Sequence, residues 1–150
     1  MFKTILVGVD GSTYSEEALE TAIEMAKPFG SKLIIASVYS TPYYFGLIQK
    51  YDPVLPPDIK ENLDSMLSRY EVKAIEEGVK EVETKSFSVI SNLMSVGAVL
   101  VIEAEKIGCS MIVIGTRGVT GIKRTLLGSV ADYVVRNAHC DVHVVRHRLD

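Results

Sequence analysis

Three glycines and a serine at fixed offsets carry the clearest chemical signal in this chain. Gly115, Gly118 and Gly128, with Ser129 directly after, give the pattern G-x2-G-x9-G-S. An apolar run ending at Ile114 leads into it, and an amphipathic stretch follows. The context is therefore strand, loop and helix start. Only glycine lets a backbone approach a phosphate closely without a steric penalty. A helix N-terminus adds unsatisfied N–H groups and the positive end of the helix dipole. The Ser129 hydroxyl would sit at that end. Arg117, Lys123 and Arg124 supply cationic charge nearby. The chemistry this set can do is to hold phosphate, and by extension a nucleotide. The competing reading is an ordinary turn with solvated cations, which the strand–loop–helix context disfavours. Two better-known phosphate motifs are absent. No lysine follows a glycine as G-x4-G-K-[ST] requires, and Gly115 and Gly118 are spaced wrongly for G-x-G-x-x-G.

Other reactive residue types give weaker signals. Asp10 ends the first apolar run, where it could share a divalent cation with bound phosphates or serve as a hydrogen-bond partner for ribose or backbone. It lacks the second acid that a phosphorylation receiver would carry beside it. His139, His143 and His147 recur every four residues, which on a helix would suggest a metal site. Here the segment reads as a helix end followed by a strand. Residues four apart in a strand are separated by roughly 13 Å, so these histidines are expected at the surface. Cys109 and Cys140 share no motif and are expected to pack as small apolar groups. No general base accompanies the glycine stretch, so turnover is not expected from the residues themselves.

These residues need elements to position them. Residues 3–9, 32–39, 110–115 and 141–146 are apolar runs of strand length, and 81–88 alternates weakly with many charges, as an edge strand does. Helical periodicity runs from a capping box at Thr13 and Glu16 to Pro28 and Gly30. It returns at Ile59–Glu77, at 96–107 and at Ser129–His139, the last with Val130, Val134, Val135 and Ala138 facing inward. Strict alternation of strands and helices implies a parallel sheet covered on both faces. Ligands then bind beyond the carboxyl ends of the strands where the strand order reverses. Residues 40–58 hold Pro42, Pro53, Pro56 and Pro57 among several tyrosines. This stretch is expected to be an irregular insertion, either a lid or a variable surface loop.

The bulk properties exclude several classes. The chain has 150 residues, 47% of them apolar, and a formal net charge of −3. That suits one domain with one substantial core, spanning 1–150. An acidic balance argues against nucleic acid as partner. No apolar run approaches the roughly 18 residues that span a bilayer, so no membrane partner is expected. The opening MFKTILVGVDG does not read as a signal peptide. A reduced, cytoplasmic setting is the expectation.

With ILVGVDGS at the start, VHVVR near the end and GTRGVTGIKRTLLGSVADYVV between them, the chain resembles the universal stress protein family, in particular its ATP-binding branch. The resemblance covers nearly the whole sequence and matches every fixed position of the G-x2-G-x9-G-[ST] signature. It implies a three-layer α/β/α fold, Rossmann-like, with a five-stranded parallel sheet in the order 3-2-1-4-5. It implies an adenine nucleotide ligand, ATP or else AMP or ADP, with Mg²⁺. Gly115, Gly118, Gly128, Ser129 and Val130 would surround phosphates and ribose, beside Ile114 and Arg117. Val9 and Asp10 would meet the nucleoside and Val38 the adenine, with Asp10 a possible indirect holder of Mg²⁺. It also implies a homodimer through residues 141–146. The implied role is regulatory, in a stress response, with conformation or binding of an unknown protein partner set by nucleotide. A slow ATPase or nucleotide hydrolase, and a dimeric interaction module whose nucleotide is structural, are the alternatives.

Overall fold

The computed structural model describes residues 2–41, 57–90, 93–117 and 127–147. Nearly all of the Pro-rich stretch, together with Gly118, Lys123 and Arg124, lies outside the described residues. Five strands and four helices alternate among those described: β1 (Thr4–Gly8), α1 (Thr13–Phe29), β2 (Lys32–Thr41), α2 (Pro57–Glu76), β3 (Glu81–Ile90), α3 (Val96–Ile107), β4 (Met111–Gly115), α4 (Ser129–Asn137) and β5 (Asp141–Val145). The sheet is parallel throughout, in the order β3-β2-β1-β4-β5. This is the three-layer, Rossmann-like arrangement expected.

Side-chain alternation along the inner strands divides the core in two. Ile5, Val7, Leu33, Ile35, Met111 and Val113 meet α1 and α2 on one face. Leu6, Ile34, Ala36, Ile112 and Ile114 meet α3 and α4 on the other. A strand buried on both faces reads as an unbroken apolar run, because both sets of alternate residues must leave water. Burying one side chain such as Leu6 or Ile34 stabilises by about 1.5–3 kcal/mol.

The edges differ from the centre. At one edge β3 carries its charges into ion pairs, with Lys32 Nζ 2.7 Å from a Glu83 carboxylate oxygen and Lys85 Nζ 3.1 Å from the other. These pairs are half-exposed and each is worth little on its own. Both β2 and β3 run two residues further than their apolar alternation suggests, since pairing persists to Thr41↔Ile90. A neighbouring strand satisfies the backbone there whatever the side chains are. The other edge, β5, is exposed at Asp141 and His143 and partly buried at Val142, Val144 and Val145.

Three local expectations are corrected. The cap of α1 is Ser12, not Thr13: Ser12 Oγ accepts the Ser15 N–H at 3.2 Å. Glu16 does not close a capping box, because its carboxylate accepts the Tyr70 hydroxyl of α2 at 3.2 Å. In α4 Ala131 and Val134 are buried and Val130 and Ala138 pack against the same core as expected, while Val135 is 48% exposed. Pro57 proves to be helical, at the first position of α2, where its missing N–H is no loss.

Candidate functional site

The point where strand order reverses lies between β1 and β4, since the chain goes to β2 on one side and to β4 on the other. A cleft of about 460 Å³ opens at the carboxyl ends of these strands. Gly8, Ala36 and Leu100 contribute apolar lining, with Val38 at the end of β2 and Val96 at the start of α3. Val9, Asp10 and Ser15 line it from the β1–α1 turn, and Ile114, Gly115 and Arg117 from the end of β4. Gly128, Ser129, Val130 and Ala131 line it from the start of α4. Of the residues singled out in the sequence, Val9, Asp10, Val38, Ile114, Gly115, Arg117, Gly128, Ser129 and Val130 thus share one cleft. Gly118 is outside the described residues.

The β1–α1 turn is a tight polar knot. Asp10 Oδ1 accepts the Ser12 N–H at 2.9 Å and the Ser12 hydroxyl at 2.5 Å. Ser15 Oγ accepts the Asp10 N–H at 3.1 Å and donates to the Ser12 carbonyl at the same distance. Gly11 between them has φ +86°, a conformation an L side chain rarely adopts. The Asp10 carboxylate therefore helps shape the turn as well as facing the cleft. Ser15 carried no sequence signal of its own, yet its buried hydroxyl holds both ends of the turn.

Gly115 is needed for close approach rather than for unusual backbone. A Cβ there would stand 2.9 Å from the Tyr14 carbonyl oxygen and 3.1 Å from its carbon. The first turn of α1 thus packs against bare backbone at the end of β4. Arg117 departs most from expectation, since a cation meant for phosphate should reach outward. It is only 4% exposed, and its guanidinium carbon lies 5.9 Å from the centre of the Tyr14 ring. Tyr14 in turn meets His147 edge-on at 4.6 Å, and His147 Nδ1 is 2.9 Å from a Glu17 oxygen. His147 is therefore largely covered rather than at the surface, while His139 stays exposed, 3.5 Å from Glu105.

Gly128 is the N-cap of α4, with φ −64° and ψ 161°, and makes no side-chain cap hydrogen bond. Its N–H donates to the Thr116 carbonyl at 2.7 Å, tying the helix start back to the end of β4. Its carbonyl accepts the Asp132 N–H at 2.9 Å, the first bond of the helix. The acid in the first turn, Asp132, is engaged by Arg136 at 3.0 and 3.1 Å. The cleft therefore combines an apolar base, a helix start without a side-chain cap and one carboxylate at its rim. Among the described residues no group of three or more His, Cys, Asp or Glu could hold a metal ion. The missed lining residues, Gly8, Ala36, Val96, Leu100 and Ala131, are small or apolar and look like ordinary core in a sequence.

Fold and cleft together define an open parallel α/β domain with a ligand-sized crevice at its switch point. Comparison with known proteins narrows this class. The profile of the Universal stress protein family matches residues 1–146. A putative universal stress protein of Staphylococcus aureus strain USA300 is 34% identical over 146 residues, covering 97% of this chain and 84% of its own. The chain belongs to the universal stress protein family. Among solved structures, a universal stress protein in complex with cAMP is 26% identical with a TM-score of 0.69, each chain being covered to 97%. The universal stress protein UspA from Lactobacillus plantarum is 23% identical with a TM-score of 0.77, covering 97% of this chain and 98% of its own. No helix among the described residues is long and apolar enough to cross a membrane.

Proposed function

We propose that this protein binds an adenine nucleotide in the cleft, ATP or its AMP or ADP forms, and uses occupancy to regulate a protein partner in a stress response. The observation that carries this reading is the convergence of four sequence-distant segments on one cleft beside the uncapped start of α4. A volume of about 460 Å³ falls within the roughly 300–1,000 Å³ typical of small-molecule sites. The base would lie over Val9 and Val38, where the lining is apolar. The phosphates would take the N–H groups of Ser129 and Val130 and the Ser129 hydroxyl, as anions do at helix starts. Gly115 and Gly118 would let the backbone come close. The cAMP complex of a relative at 26% identity supports an adenine ligand.

Mg²⁺ would be held chiefly by the phosphates, with the exposed Asp10 carboxylate as the nearest acid. That fits a cleft without a cluster of carboxylates among the described residues. Arg117 would act by stiffening the end of β4 against Tyr14, with Ile114 packed beneath. The protein would work in the cytoplasm as a homodimer joined along 141–146, the half-exposed edge of the sheet. Catalysis is no part of this reading, which needs binding alone.

Calorimetric titration of ATP, AMP and GTP in Mg²⁺ tests the proposal. Saturable binding of ATP or AMP, with GTP weaker, is the expected result. Absence of any adenine nucleotide binding would sink the reading.

A further inference from the structure

A second, smaller hollow lies on the same face of the sheet, at its opposite end. It measures about 220 Å³ and is lined by Cys109, Cys140, His139, Glu105, Ile112 and neighbouring small residues of α3. It sits where β4 and β5 begin, whereas the cleft sits where strands end. The two cysteines enter from different elements. Cys109 follows the end of α3 and Cys140 follows the end of α4. Pairing between β4 and β5 starts at Met111↔Asp141, so the cysteines stand two and one residues before paired positions. Parallel strands run about 4.8 Å apart, and a disulfide spans Cα separations of about 4.4–6.8 Å. Both side chains also turn to one face, since Cys109 belongs to the core beneath α3 and α4 and Cys140 packs against that same core. Two thiols beside one hollow, just before adjacent strand starts and turned to one face, are placed as a bridge would need.

Exposure gives them different parts. Cys109 is 8% exposed and Cys140 is intermediate, both as free thiols. Burial pushes the Cys109 thiol up to about 11 and the Cys140 thiol above its usual range. Both therefore rest as thiols at neutral pH. Phosphate binding at the far end of the sheet makes no use of either.

We infer that Cys109 and Cys140 form a reversible intrachain redox pair, oxidised by low-molecular-weight disulfides of the glutathione class. Cys140, the more accessible, attacks one sulfur of the small disulfide as its thiolate. A mixed disulfide forms on Cys140 and one small thiol leaves. Cys109 then loses its proton and attacks the Cys140 sulfur, forming the internal disulfide and releasing the second small thiol. In sum, two protein thiols and one small disulfide become one protein disulfide and two small thiols. The bridge closes residues 109–140, the segment containing the whole glycine stretch, into a covalent loop without touching the cleft.

The test treats the full chain under native conditions with excess oxidised glutathione and traps remaining thiols with N-ethylmaleimide before intact-mass analysis. The expected product is a monomeric chain lighter by two hydrogens, carrying no maleimide, with a Cys109–Cys140 cross-linked peptide and full recovery by dithiothreitol. The Cys109→Ser variant should stop with one glutathione on Cys140, and Cys140→Ser should yield no internal bridge. Cys109→Ala replaces the serine variant if the hydroxyl disturbs folding at this buried position. Two maleimides on the treated wild type would overturn the inference. So would a wild-type product that stays glutathionylated or is bridged only between chains.

Discussion

Two helices begin beside the same cleft and begin in opposite ways. The start of α1 is closed on itself: Ser12 accepts the Ser15 N–H, Asp10 holds Ser12, and Glu16 is engaged by Tyr70. The start of α4 is open at its cap, since its N-cap is a glycine and makes no side-chain cap hydrogen bond. A third helix at the cleft, α3, follows the first pattern, with Ser95 Oγ accepting the Ala98 N–H at 3.1 Å. Every helix leaves its first N–H groups without an internal partner. A serine cap satisfies one of them and stabilises by about 1 kcal/mol. Where that stabilisation is forgone, the N–H groups remain for something else. The contrast separates the helix starts closed by a serine from the one that begins at a glycine beside the cleft.

The comparison can be broken most severely at Gly115, which allows the closed start of α1 to touch the end of β4. Gly115→Val should destabilise the protein by roughly 3 kcal/mol through overpacking against Tyr14 and abolish nucleotide binding. Urea unfolding and calorimetry measure the two effects, and an unchanged midpoint would show that close approach is not what this glycine serves. Closing the open start comes next. Gly128→Asp supplies the missing cap and places a negative charge where phosphate would sit. Affinity for ATP should fall at least about tenfold, the scale of one lost hydrogen bond to a charged group, while stability stays within about 0.5 kcal/mol. A variant that binds ATP as tightly as wild type would remove α4 from the ligand site.

Opening the closed start should do the reverse. Ser12→Ala is expected to cost about 1 kcal/mol of stability and leave ATP affinity within about twofold of wild type. The smallest effect lies at Tyr70, whose hydroxyl is pushed up to about 12, first by burial and then by the Glu16 carboxylate. A raised phenol favours the neutral form in the fold, so its contribution is complete below the ordinary tyrosine value of about 10 and is lost as pH climbs through 12. Tyr70→Phe should flatten the decline in stability over that alkaline window, as read from melting temperature against pH. A decline of unchanged steepness would place its cause elsewhere.

Much of this was legible in the residues alone. The doubly buried strands announce themselves as apolar runs, and the spacing of Gly115, Gly118, Gly128 and Ser129 points to phosphate and to the family. What was not legible depends on neighbours distant in sequence. Thr13 and Glu16 make a sound capping box on paper, but Tyr70 takes the glutamate and Asp10 fixes Ser12 as the cap. Val135 satisfies the helical period, yet α4 lies where the sheet has nothing left to cover it. Arg117 reads as a phosphate cation, yet the fold buries it beside the Tyr14 ring.

The sequence by itself determined the order of elements, because periodicity is a local property of a chain. Tertiary structure decided which helix start stays open and which cation is buried. It also brought Val9, Val38, Gly115 and Gly128 to one cleft, and Cys109 and Cys140 to another. Those outcomes depend on parallel crossovers that carry distant segments to the same end of a sheet, and no short stretch of sequence contains them.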